Sequence, residues 1–366
     1  MTDEADIADR ADNERFYALH EIVAAARVEL ADGPWGYLTG GAETETTMAR
    51  NRAALDSIAF RPRVLRDVSR IDTSAELLGR PVRLPVLIAP VGQLNVFDPG
   101  AAATVSKAAA RFGVPQILSS GSPPALEAVA AAAPDGFRIY QLYVTGDPAA
   151  TSERIEQVQR AGYDGFCVTV DTAKYSRRER DIASRWGIRW RARGFDGLGL
   201  LAALSWSDVE RMRGELDIPL ILKGIATVDD AELALEHGVD VIYVSNHGGR
   251  QLDHGLGSTT VLPEIIDAVA GRAEVFVDGG FNRGSDIVKA IALGADGVGL
   301  GRTICYGLAA DGMDGVVRVL ELLEDEVHRT LGLLGVRSWS ELGRSHLAAA
   351  EPMTAPGALS AYPLLR

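Results

Sequence analysis

Eight short apolar runs recur along the chain, each followed by a stretch of helical periodicity, and this alternation restricts the fold more than any other feature. The runs cover residues 85–89, 116–119, 138–143, 165–170, 219–223, 241–245, 275–278 and 297–301. Runs this short and this continuously apolar suit parallel strands buried on both faces. Alanine-rich amphipathic stretches lie between them, for example at 100–111, 148–161, 228–237 and 286–293. Eight β–α units in succession predict an α/β fold, a (β/α)8 TIM barrel. An open doubly wound sheet is the competing arrangement; against it, no Gly-x-Gly-x-x-Gly opens a helix after the first strand.

The 366 residues suffice for one large barrel or two ordinary domains. With no interdomain linker in view, we expect one domain over 1–366: a helical extension at 1–82, barrel strands and loops at 83–310, and a C-terminal helix and tail at 311–366. Within the extension, 13–58 reads as helical, a lid or plug for the bottom or rim of the barrel. Residues 312–331 read as a long outer helix, and the tail 351–366 as poorly ordered. The net charge of -13 disfavours nucleic acid and anionic membranes as partners. Cys167 and Cys305 fall in or beside the predicted strands and read as buried thiols rather than a disulfide. The acidic start has no apolar leader and no run is long enough to span a bilayer, so a cytoplasmic protein is expected.

Polar residues gather where the predicted strands end. Gln141 and Tyr143 close the third, Thr169 and Asp171 the fourth, Lys223 the fifth, Ser245 and His247 the sixth, Asp278 with Gly279 and Gly280 the seventh, and Gly301 with Arg302 the eighth. In a barrel these ends form the catalytic face. The densest stretch is Ser245-Asn246-His247-Gly248-Gly249-Arg250-Gln251-Leu252-Asp253. Its paired glycines let backbone approach a flat cofactor. His247 can take a proton, and Arg250 can hold a carboxylate by a forked pair of hydrogen bonds. The loops after the seventh and eighth strands, Asp278-Gly279-Gly280-Phe281-Asn282-Arg283-Gly284 and Gly299-Leu300-Gly301-Arg302-Thr303, place arginines and free N–H groups before helices, as a phosphate site requires.

These segments resemble the FMN-dependent α-hydroxy-acid oxidases and dehydrogenases, the family of glycolate, lactate and mandelate oxidases. The likeness also includes Ile88-Ala89-Pro90, Arg61-Pro62-Arg63-Val64-Leu65, Gln141-Leu142-Tyr143, Thr169-Val170-Asp171-Thr172 and Leu222-Lys223-Gly224, and runs from about Tyr37 to about His346. The resemblance implies FMN as cofactor and oxidation of a 2-hydroxy acid to the 2-oxo acid. It implies His247 as the base, Asp171 as the carboxylate that stabilises its cation, and Lys223 beside the flavin. Arg178, Arg250, Tyr37 and Tyr143 would bind substrate. Pro90, Val91, Gly92, Ser119, Gln141, Thr169 and Ser245 would line the flavin ring or ribityl chain. Asp278, Gly279, Gly280, Arg283, Gly301 and Arg302 would hold ribityl and phosphate. A homotetramer or homo-octamer is the implied assembly.

Two positions depart from the family pattern. Gly121 stands where glycolate-oxidising members carry a tryptophan, which predicts room for a bulky α-substituent unless Trp186 or Trp190 refills it. Asn282 stands where the family has a phosphate-binding arginine. Either Arg283 takes that role, or the phosphate relies on Arg302 and backbone N–H groups, with weaker FMN binding. The loop 183–204 is shorter than in plant-type members, and its arginines hint at an anionic or extended substrate. Oxygen is the expected acceptor, giving hydrogen peroxide. The alternatives are a dehydrogenase serving a quinone or other carrier, a flavoenzyme for a larger secondary-metabolite or carrier-bound substrate, an inert flavin-binding module, and an isomerase on a related barrel.

Overall fold

The computed structural model describes residues 15–186 and 198–365. Eight parallel strands close into a barrel: β4 (Val86–Ile88), β5 (Gln116–Ser119), β6 (Arg138–Leu142), β7 (Gly165–Thr169), β8 (Leu220–Ile225), β9 (Val241–Val244), β10 (Glu274–Val277) and β11 (Gly297–Leu300). They follow one another in chain order, and β11 returns to β4 with Val298 opposite Val86 and Leu300 opposite Ile88. Each falls on one of the eight apolar runs of the sequence. Their residues are buried almost throughout, because helices cover the outer face and side chains fill the interior. The interior layer is Leu87, Ile117, Ile139, Cys167, Ile221, Val241, Tyr243 and Phe276.

That layer continues into Leu77 and Val82 of a two-stranded hairpin, β2 (Ala75–Leu77) and β3 (Arg80–Val82), which therefore plugs the N-terminal mouth. The helices of the extension, α1 (Leu19–Glu29), α2 (Asp32–Thr39) and α3 (Thr46–Asp56), do not form this plug. Instead α3 packs on the opposite rim, where Met48 and Arg52 reach the central cavity. β1 (Ile58–Phe60) pairs antiparallel with β12 (Leu347–Ala349), joining the two ends of the barrel segment. The long helix α13 (Arg302–Leu334) begins earlier than the periodicity suggested, and it breaks at Asp311 and Gly312, where the backbone leaves the helical region. The tail corrects one expectation: Tyr362 is 1% exposed and packs edge-on against Tyr306 and His20, so the segment folds back onto the barrel. Both cysteines are buried free thiols. Among the described residues, no helix is long and apolar enough to cross a membrane.

Candidate active site

A cavity of about 260 Å³ opens at the C-terminal ends of the strands. Its sharpest feature is the loop after β9. His247 (φ 59°), Gly248 (φ 65°) and Gly249 (φ 75°) are consecutive left-handed residues. For histidine that conformation costs about 1–2 kcal/mol, and it is held by the His247 N–H donating to Ser245 Oγ at 3.0 Å. A Cβ on Gly249 would come within 2.5 Å of the Met48 backbone nitrogen, so only glycine lets the loop seat on α3. Asn51 of α3 and Asn246 lock the contact by exchanging amide hydrogen bonds at 2.8 and 2.7 Å.

This strained turn aims the His247 ring. Its Nδ1 lies 3.0 Å from Asp171 Oδ1, and its Nε2 lies 3.4 Å from the Tyr143 hydroxyl. A carboxylate accepts only, so Nδ1 carries the proton and Nε2 is left as the acceptor facing the cavity. Gln251 donates to the backbone carbonyls of Asp171 and Lys174, at 2.9 and 3.1 Å, and so ties the β7 loop to the β9 loop. Withdrawal from water lowers the His247 pKa below the ordinary 6.5; Asp171 opposes this, while Lys223 and Arg178 add to it. The imidazole is thus neutral at pH 7. Burial alone would raise the Asp171 carboxyl, but His247 and Lys223 outweigh it and hold its pKa low.

Arg250 and Arg178 stand together on one wall. Arg250 Nη1 donates to the carbonyls of Tyr37 and Gly40 at 2.6 and 2.8 Å, while its Nη2 is buried without a partner. Burial, then the neighbouring Arg178 charge, bring its pKa down to about 10. It remains a cation whose repulsion an incoming carboxylate would relieve. Within the run Arg177-Arg178-Glu179-Arg180, only Arg178 turns inward; its neighbours are exposed. The Tyr37 hydroxyl donates to the Gly92 carbonyl at 3.2 Å.

The other end of the cavity suits a flavin. Lys223, 3% exposed, donates to Ser245 Oγ at 2.7 Å and pairs with Asp278 at 3.0 Å. Ser245 in turn donates to Asp278 at 2.6 Å. Burial pulls the Lys223 pKa down, but Asp278 and Asp171 outweigh it, so the ammonium stays charged. Gln141 has both side-chain polar atoms buried without partners, as does Thr169 with its hydroxyl. Buried polar groups are almost always satisfied, so a polar ring edge against these two strand ends would complete them. A Cβ built on Gly301, in the cavity wall, meets nothing within 4 Å, which leaves space beside Arg302. The Arg302 guanidinium binds the carbonyls of Leu38, Gly248 and Gly40 and keeps its charge for an anion.

Pro90, Val91, Gly92, Gly121, Tyr37, Tyr143, Arg178, Arg250, Asp278, Gly279 and Gly280 all line this cavity with His247, Lys223, Gly301 and Arg302. Asp171 and Ser245 touch the lining residues His247 and Lys223, and Ser119, Gln141 and Thr169 are buried at the ends of β5, β6 and β7. Arg283 is the correction. Its guanidinium pairs with Glu326 of α13 and donates to the Ala361 carbonyl at 3.3 Å, so it points away from the cavity. Asn282 does line the cavity, with its amide turned to the Gly280 carbonyl and to Thr303. Trp186 lies against Gly33 and 4.7 Å from the Tyr37 ring and does not refill the space at Gly121. Trp190, with the arginines at 189, 191 and 193, lies outside the described residues. Sequence reasoning missed Arg52, Gln251, Phe97, Gly357 and Ala358, which also line the cavity. Gln251 lay inside the noted motif; the tail residues carried no signal at all.

The chain is also similar to known proteins over most of its length. The family model described as FMN-dependent dehydrogenase matches residues 26–195 and 191–349. Glycolate oxidase of Spinacia oleracea is 38% identical over 352 residues, covering 90% of this chain and 95% of that protein. Peroxisomal (S)-2-hydroxyacid oxidase GLO3 of Arabidopsis thaliana is 38% identical over 346 residues, covering 89% of this chain and 95% of that protein. Among solved structures, a mandelate oxidase variant with the C4a-OH-FMN adduct superposes with a TM-score of 0.83 at 36% identity, covering 91% of this chain and 100% of that one.

Proposed function

The chain belongs to the FMN-dependent dehydrogenase family, a family of FMN-dependent enzymes, and from that premise we propose that it oxidises (S)-2-hydroxy acids bulkier than glycolate to 2-oxo acids, passing the electrons to oxygen to give hydrogen peroxide. The observation that carries the reading is a neutral imidazole, backed by Asp171 at 3.0 Å, sharing one cavity with the Arg178 and Arg250 cations.

FMN, when bound, supplies the two-electron acceptor. Arg178 and the unpartnered Nη2 of Arg250 take the substrate carboxylate, each charge-assisted contact being worth about 1.5–3 kcal/mol. That anchoring sets the α-carbon at a fixed depth, and Tyr37 and Tyr143 orient the hydroxyl. His247 Nε2 accepts the hydroxyl proton, and Asp171 balances the imidazolium that forms. Lys223, held by Asp278 and Ser245, would offer its ammonium to the flavin ring, and Arg302 with the Gly279–Gly280 backbone would hold the phosphate.

Support for a bulky substrate comes from Gly121. A Cβ there meets only Ser119 Oγ at 3.5 Å and Gly92 Cα at 3.8 Å, so space continues beyond it. Phe97, Tyr175 and Leu201 supply apolar surface in the same cavity. An inert flavin binder would not need the His247–Asp171–Arg250 set. The test is anaerobic bleaching of the flavin-loaded protein by a graded series of 2-hydroxy acids, followed by admission of oxygen. We expect phenyl- or branched-chain acids to bleach faster than glycolate, and rapid return of colour with one peroxide per turnover. Preference for glycolate contradicts the substrate reading, and slow reoxidation contradicts the acceptor reading.

A further inference from the structure

We infer that residues 356–362 form a strap over the phosphate end of the flavin site, holding the FMN phosphate where this chain lacks the usual loop cation; the inference rests on the reading that FMN occupies the cavity. The family model match ends at residue 349, short of the strap. Yet Gly357 and Ala358 are part of the cavity wall, together with Gly280, Asn282, Gly301 and Arg302.

The strap is built into place. The Ser360 hydroxyl accepts from the Gly357 N–H at 3.1 Å and donates to the Gly357 carbonyl at 2.9 Å, closing a tight turn. Tyr362 inserts its ring between Tyr306 and His20, and its hydroxyl donates to Asn282 Oδ1 at 3.4 Å. Arg283 donates to the Ala361 carbonyl and is otherwise bound to Glu326. Arg283, the one cation of the β10 loop, is thus turned away from the cavity, and Asn282, which lines it, is tied to the Gly280 carbonyl, Thr303 and Tyr362. Arg52, the other cation at this end, is already matched by Asp286 at 2.7 Å. Arg302 is left as the main charge for the phosphate. Covering it with small, uncharged chain excludes water, which strengthens an ion pair and slows escape of the anion.

The test uses holoenzyme, a truncation lacking 351–366, and Tyr362→Phe. FMN release is followed by recovery of free-flavin fluorescence, and FMN and riboflavin are titrated into each apo-protein. We expect truncation to speed FMN release at least about tenfold and to leave riboflavin affinity nearly unchanged, because riboflavin has no phosphate for the strap to hold. Tyr362→Phe keeps both ring contacts and removes only the hydroxyl, and should speed FMN release about fivefold. Unchanged FMN release in Tyr362→Phe, or equal weakening of FMN and riboflavin by truncation, overturns the strap. Failure of the intact protein to bind FMN would instead overturn the functional reading.

Discussion

Replacing Asp171 with asparagine isolates the electrostatic half of the proposed base. Asparagine is nearly isosteric and keeps an acceptor oxygen 3.0 Å from His247 Nδ1, so the ring can hold its place and tautomer. What is lost is the negative charge beside the imidazolium that forms as the substrate hydroxyl is deprotonated. With charge centres about 4 Å apart and an effective dielectric of about 20, that attraction is about 4 kcal/mol, an upper bound near a thousandfold in rate. Lys223 also loses a counter-charge but keeps Asp278 at 3.0 Å, so the flavin site should stay loaded. We therefore expect anaerobic flavin reduction, measured by stopped flow with a saturating 2-hydroxy acid, to slow by roughly 10²–10³-fold at unchanged flavin content. Because Asp171 raises the His247 pKa, its removal should also shift the acid limb of kcat/KM to lower pH. A rate within about threefold of the unaltered protein would refute the assignment of His247 and Asp171 as a proton-accepting pair.

Other outcomes follow from the same geometry. Gly121→Trp should cut kcat/KM for phenyl-substituted acids by at least about tenfold while glycolate is spared, since the added ring fills the space beyond Gly92; equal losses on both substrates would contradict the pocket argument. Arg250→Lys should raise KM about 10–100-fold by removing the forked guanidinium, with the bound flavin unaffected, as steady-state kinetics on a substrate series will report. The acid limb of kcat/KM should lie below pH 6.5, because the neutral imidazole is the active form and burial keeps its pKa under the ordinary value; a limb centred above 6.5 would mean that another group controls the rate.

The barrel could be read because its strands are local: each is a short apolar run buried on both sides, and each landed where the run was. Much of the cavity lining could be read because its side chains sit at strand ends, so position along the chain predicts position in space. Arg283 shows where that logic stops. Nothing local tells whether a loop arginine faces inward or outward, and here the deciding partner, Glu326, lies 43 residues on in α13. The hairpin that closes the N-terminal mouth could not be read either, since Leu77 and Val82 lie in strands too short to show a period. The tail has no helical or strand pattern, and its burial comes from Tyr362 meeting Tyr306, a contact that composition cannot reveal. The kink at Asp311 and Gly312 explains why periodicity recovered only the second part of α13.

The central claim is that one histidine and two arginines address a single small acid over a bound flavin. A crystal structure of the FMN-loaded protein with a 2-oxo acid product tests it most directly. The account predicts the carboxylate between Arg178 and Arg250, with the oxo group within hydrogen-bond reach of His247 Nε2 and Tyr143. A carboxylate bound away from both guanidinium groups, or an oxo group facing away from His247, would contradict it.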